Sequence, residues 1–264
     1  MDLANSLGGP RMLLLPADTI ERLGRIPRFS EGYAVDAAET IRKMGPPIVE
    51  VFMVSHKWLQ SRSDPMDAST GFPDTASNDK AKTISEYTKW RIKWVRHMHQ
   101  FTPVILYWID YSCLDQDHLE RGVPLMPLWV ACCERLLRID HPEYDSRAWC
   151  RLEPLLACAY AFADHQTVIS VGFENCWPST GLKTKRPLLD PRAGHLTDPT
   201  DMARILPLIE QAEKALLKNP DVKSYDSGII YEAGDRAHIK CFVLPSQPEE
   251  QDAQHADQAQ PRFL

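Results

Sequence analysis

The apolar residues of this chain fall into short dense blocks separated by long polar ones. IVEVFMVS (48–55) and VILYWID (104–110) are β-branched and aromatic runs with a single acid each. That is the pattern of strands covered on both faces rather than of half-exposed ones. Between them, residues 82–100 carry Ile84, Tyr87, Trp90, Ile92, Trp94 and Val95 among charges, which predicts a helix. VPLMPLWVACCERLL (123–137) predicts a helix and the entry to a third short strand. LLACAYAFA (155–163) predicts an apolar helix and TVISVGF (167–173) a fourth strand. The alternation of strand and helix is the signature of an α/β domain on a parallel sheet with helices on both faces.

The flanks read differently. Residues 1–46 are punctuated by Gly and Pro, with one short helical candidate at 36–44, and Gly45-Pro46-Pro47 then stops the chain. Polar loops are expected at 56–80 and 111–122, and a long surface loop at 174–200. The segment 201–218 is amphipathic and ends before Pro220, and 238–244 predicts a last strand. Residues 245–264, rich in Gln, Glu, Asp and Pro, have the composition of a disordered tail. The expected organisation is therefore an N-terminal extension (1–46), one α/β domain with an elaborated C-terminal part (47–244), and a tail (245–264).

Composition narrows the function classes. With 264 residues and 44% hydrophobic content, the chain can build a sizeable core. A net charge of −6 opposes general nucleic-acid binding. The start has an early acid and only a four-residue apolar run (12–15) before Pro16, unlike a secretory signal. No run approaches the roughly 18 apolar residues of a spanning helix. Seven cysteines, an odd number without a C-x-x-C pair, fit a reduced compartment. His97 and His99, the one close histidine pair, would point to different faces of a helix, so no metal site is expected. The expectation is a soluble cytoplasmic protein with no nucleic-acid or membrane partner.

In open α/β sheets, ligands bind outside the carboxyl ends of the strands. Three polar stretches fall there: Ser55-His56-Lys57-Trp58, Asp110 with the loop that follows it, and S-R-A-W-C-R-L-E (146–153). In the last, Asp145 or Ser146 is placed to cap a helix. Pro154 cannot donate a backbone hydrogen bond and disfavours helical geometry at Glu153. The helix therefore starts near Pro154, or it starts earlier with a kink, in which case Trp149 and Glu153 share a face. Either start puts Glu153 where the helix dipole favours its ionised form. Plain structural roles stand beside these: Trp149 as packing, Arg147 and Arg151 as a solvated face, Cys150 as a buried thiol.

The apolar strand ending in S-H-K-W, the W-I-D strand with its acidic loop, and the S-x-x-W-C-x-x-E pattern of residues 146–153 together resemble TIR-like domains over residues 48–173. W-I-D, and R-A-W followed by an acid, also resemble the heterokaryon-incompatibility domain, a distant relative of TIR. The resemblance implies a flavodoxin-like or TIR-like parallel sheet. It implies an NAD⁺ glycohydrolase or cyclase that cleaves the nicotinamide–ribose bond in a signalling, immune or cell-death role. NAD⁺ is then the substrate, no cofactor is required, and self-association completes the site. By the same resemblance Glu153 is catalytic and Trp149 lines the nucleotide site. Ser55, His56, Lys57, Trp58 and Asp110 surround the substrate, with His56 and Lys57 toward the diphosphate. The alternative it carries is a non-catalytic interaction module that recruits a partner through residues 111–122.

Overall fold

In the computed structural model, the described residues are 10–44, 49–58, 73–160, 166–170, 188–218, 222–225, 228–232 and 240–244. The chain runs through β1 (Leu13–Pro16), α1 (Ala17–Leu23), β2 (Val35–Asp36), α2 (Ala37–Met44), β3 (Val49–Ser55), α3 (Asp79–His99) and β4 (Val104–Ile109). Two short helices, α4 (Asp110–Cys113) and α5 (Leu119–Gly122), precede α6 (Met126–Ala131), β5 (Arg135–Asp140), α7 (Ala148–Tyr160) and β6 (Gln166–Ser170). The C-terminal part holds β7 (Leu188–Leu189), α8 (Met202–Leu217), β8 (Val222–Tyr225), β9 (Gly228–Glu232) and β10 (Lys240–Leu244).

The two densest apolar runs, β3 and β4, pair in parallel from Val49 opposite Val104 to Val54 opposite Ile109. β5 lies parallel on the other side of β3, and β6 parallel on β5. The crossover from β3 to β4 runs one way along the sheet, and those from β4 to β5 and from β5 to β6 run the other. Since such crossovers are right-handed, α3 covers one face, and α6 and α7 the other. Accordingly α1 packs on α3, while α6 and α8 pack on α7. The result is an α/β fold on a mixed sheet.

The sheet departs from the all-parallel expectation at its N-terminal edge. Leu15 of β1 sits antiparallel to Tyr107 of β4, and β2 extends the edge beyond β1. Leu14 and Leu15 are fully buried, so the LLLP run belongs to the core. Four residues that end in a proline are too short to show strand alternation, so periodicity leaves them unassigned. The single acid of the first apolar run also finds its reason. Glu50 is buried in a bidentate pair with Arg91 of α3 (2.8 and 2.5 Å), whose guanidinium lies 4.6 Å over the Trp94 ring.

Residues 111–122, read as loop, hold most of α4 and all of α5. In the C-terminal part β7 pairs in parallel with β10, and β10, β9 and β8 follow antiparallel, so the expected last strand is β10. The expected tail (245–264), most of the loop 56–80 and the first part of the loop 174–200 lie outside the described residues. Among the described residues no helix is long and apolar enough to cross a membrane.

Candidate functional site

β3 and β5 are neighbours whose following connections leave in opposite directions, a topological switch point of the kind that opens a crevice at the carboxyl ends of strands. A cavity of about 510 Å³ opens at that rim. Glu153, Trp149, Asp110, His56 and Trp58 all line it, so three sequence-distant stretches converge on one space. Ser55 lies behind this lining and touches Glu153 directly. Lys57 does not line the cavity, because its Nζ is engaged by Glu143.

The helix that carries Glu153 begins at Ala148, with Pro154 inside it. This is the earlier of the two starts the sequence allows, and it puts Trp149 and Glu153, four residues apart, on one face. Neither Asp145 nor Ser146 caps it. The Asp145 carboxylate meets Arg138 (2.9 Å), and the Ser146 hydroxyl donates to the Glu143 carbonyl (2.7 Å). Instead Ala148 N–H donates to the His195 carbonyl (3.0 Å), and His195 N–H donates to the Ser146 carbonyl (2.7 Å). Gly194 makes that approach possible, since a Cβ there would lie 2.5 Å from the Cα of Ala148. The segment around residues 190–201 is thus pressed onto the helix start and supplies a wall of the cavity through Thr197, Asp198 and Asp201. It is not the free surface loop that its composition suggests.

Glu153 is 6% exposed and accepts a hydrogen bond from the Ser55 hydroxyl, which also meets the Tyr144 hydroxyl. Among the described residues no ion pair involves it; Arg151 turns away to the carbonyls of Asp145 and Asp190. Burial pushes its carboxyl well above the usual range, helped by the charge of Asp110 and opposed by the Ser55 hydrogen bond. The expectation of an ionised group at a helix start is therefore corrected. Loss of water outweighs the partial charge of a helix end, which acts only over the first turn.

Asp110 stands in the opposite surroundings. Its Oδ1 accepts from Tyr111 N–H (2.7 Å) and lies 3.2 Å from His56 Nε2, and its Oδ2 accepts from Trp58 Nε1 (2.8 Å). Gln116, which sequence reasoning left unassigned, donates to the Asp110 carbonyl (2.7 Å) and also lines the cavity. Trp58 meets Tyr111 edge-on at 5.5 Å, which steadies the ring that faces the cavity.

Two arginines complete the lining. Arg204 pairs with Asp201 (2.5 Å), whose other oxygen accepts from Trp149 Nε1 (2.9 Å). Arg147, assigned from the sequence to surface charge, lines the cavity with its guanidinium bonded to the Thr197 hydroxyl. Cys150 also lines it, but burial raises its thiol far above the range of a reactive thiolate. Among the described residues no group of three or more His, Cys, Asp or Glu side chains could hold a metal ion. The signals for the missed wall were present in the sequence. Asp190-Pro191 and Asp198-Pro199 are helix-start dipeptides, and both aspartates accept a backbone N–H two residues on (2.9 Å each).

Comparison of the chain with protein-family models, with curated proteins and with solved structures found no match.

Proposed function

We propose that the chain is an NAD⁺ glycohydrolase on a flavodoxin-like, TIR-like sheet. The observation that carries this reading is the convergence of Glu153, Trp149, Asp110 and His56 on one cavity, with no arginine among the described residues paired to Glu153. A scaffold has no need for an unpaired buried carboxyl beside an aromatic face. An enzyme that handles a cationic ribosyl centre does.

Nicotinamide leaves a cationic pyridinium ring as a neutral molecule, so no acid is needed to protonate it. The C–N bond breaks with its electron pair going to the ring nitrogen. The developing oxocarbenium ion then needs negative charge held close in a dry site. Burial and the charge of Asp110 both push the Glu153 carboxyl up. A bound pyridinium cation opposes both causes and favours the carboxylate. Water attacks the ribose carbon and its proton passes to Glu153 or to solvent, giving ADP-ribose, nicotinamide and one proton. Trp149 offers a stacking face. Arg147 takes over the diphosphate contact first given to Lys57, which is engaged by Glu143.

The test is nicotinamide release from NAD⁺, followed by chromatography over a range of protein concentrations, because the TIR resemblance implies self-association. Glu153→Ala and Glu153→Gln should each lower turnover by about 100-fold or more, the scale of losing a preorganised electrostatic group. Equal turnover in wild type and both variants would remove Glu153 from the chemistry. Wild-type protein that releases no nicotinamide at any concentration would overturn the enzyme reading in favour of a non-catalytic interaction module.

A further inference from the structure

Lys80, in the first turn of α3, is 2% exposed. Such burial is costly for an ammonium unless each of its three protons meets an acceptor. Its Nζ donates to the carbonyls of Lys57 and Pro73 and lies 3.5 Å from Nδ1 of His56. Asp74 fixes the backbone beneath it, accepting from Lys80 N–H and Ala81 N–H (2.9 Å each). Burial brings Lys80 down to about 8, an effect opposed mainly by Asp74, so it remains charged at neutral pH.

An ammonium has donors only, so the ring nitrogen that faces it must be the one without a proton. The imidazole proton then sits on Nε2, 3.2 Å from Oδ1 of Asp110. We propose that Lys80 is a positioning residue of the cavity, holding His56 as the neutral Nε2–H tautomer and so making His56 a fixed donor to Asp110 instead of a general base. The consequence reaches the ligand side directly. Asp110 takes His56 Nε2–H, Trp58 Nε1–H and Tyr111 N–H together, so its carboxylate is clamped before any ligand arrives. These contacts do not depend on which reaction the cavity performs.

The test is the tautomer itself, read by long-range ¹H–¹⁵N correlation of the histidine rings in labelled full-length protein, with His56→Gln identifying the His56 signals by their loss. At pH 7 wild-type His56 should show an unprotonated Nδ1 and a protonated Nε2. Lys80→Met, which keeps the length of the side chain and removes the donors, should shift both nitrogens toward their averaged position. A merely structural lysine would leave the ring pattern where it was, and that outcome overturns the proposal. So does a wild-type ring protonated on Nδ1, alone or together with Nε2. The wild-type spectrum decides even where Lys80→Met fails to fold, and neither readout requires turnover of NAD⁺.

Discussion

Glu153 and Asp110 are carboxyl groups on one cavity with opposed surroundings: one faces a hydroxyl in a dry interior, the other N–H donors beside a half-open rim. Burial acts on Glu153, which lies in the drier of the two settings. The native state keeps the Glu153 proton above the usual 4.5, whereas the unfolded chain releases it there. The native state thus binds more protons in the window above 4.5, and stability falls as pH rises until Glu153 ionises. Glu153→Gln removes this slope. Calorimetry should find the variant melting higher than wild type near neutral pH, by about 2–4 °C for each kcal/mol relieved, with the difference vanishing below pH 4.5. Activity should move the other way, kcat/KM rising with pH over the window in which wild-type stability falls. A variant no more stable than wild type at neutral pH would mean that Glu153 is not buried as described. That Glu153 reaches the strand-end rim was legible in W-C-R-L-E; its burial was not, because that depends on Ser55 and Asp110, distant in sequence, together with Tyr144.

At the level of elements, what the chain discloses depends on how far apart the interacting parts lie. α3 and α8 satisfy a helical period, and β3 and β4 are continuous apolar runs, so each was readable from its own stretch of sequence. β1 was not, since it qualifies as a strand through its pairing with β4 and β2, both distant in sequence. The start of α7 is a similar case. Pro154 left two possibilities open, and the choice falls to His195, which lies 47 residues beyond Ala148 and takes its N–H. Gly194 is the hinge of that contact. Gly194→Ala would push a methyl group against Ala148, where neither backbone has room to yield. Overpacking of this kind should cost about 1–3 kcal/mol, measured by denaturant unfolding. Because the same contact holds Thr197, Asp198 and Asp201 against the cavity, ligand affinity should fall together with stability. A variant as stable as wild type would show that the segment is not packed on α7.

Over the whole molecule, the charge around the cavity restricts what can enter it. The acids Asp117, Glu120, Asp198 and Asp201 line it with Asp110 and Glu153, against the arginines Arg147 and Arg204. Arg204 is matched by Asp201. That leaves Arg147 as the arginine of the lining with no carboxylate partner among the described residues, within a chain whose net charge is −6. If the ligand is the dinucleotide proposed above, a further phosphate would meet acids and no second unmatched arginine among the described residues of the lining. Two like charges about 8 Å apart in water repel by roughly 0.5 kcal/mol, so a doubly charged phosphate near two acids loses about 2 kcal/mol before salt screening. With a Debye length of about 8 Å at physiological salt the penalty falls to about 0.7 kcal/mol, a discrimination of about threefold. NADP⁺ should therefore be cleaved about threefold less efficiently than NAD⁺ at physiological salt, and the gap should narrow toward 1 M salt, where the Debye length is about 3 Å. Asp198→Asn should also narrow it, by removing one of the acids that the added phosphate would face. Equal kcat/KM for the two dinucleotides at low salt would mean that the acidic lining plays no part in selecting the substrate.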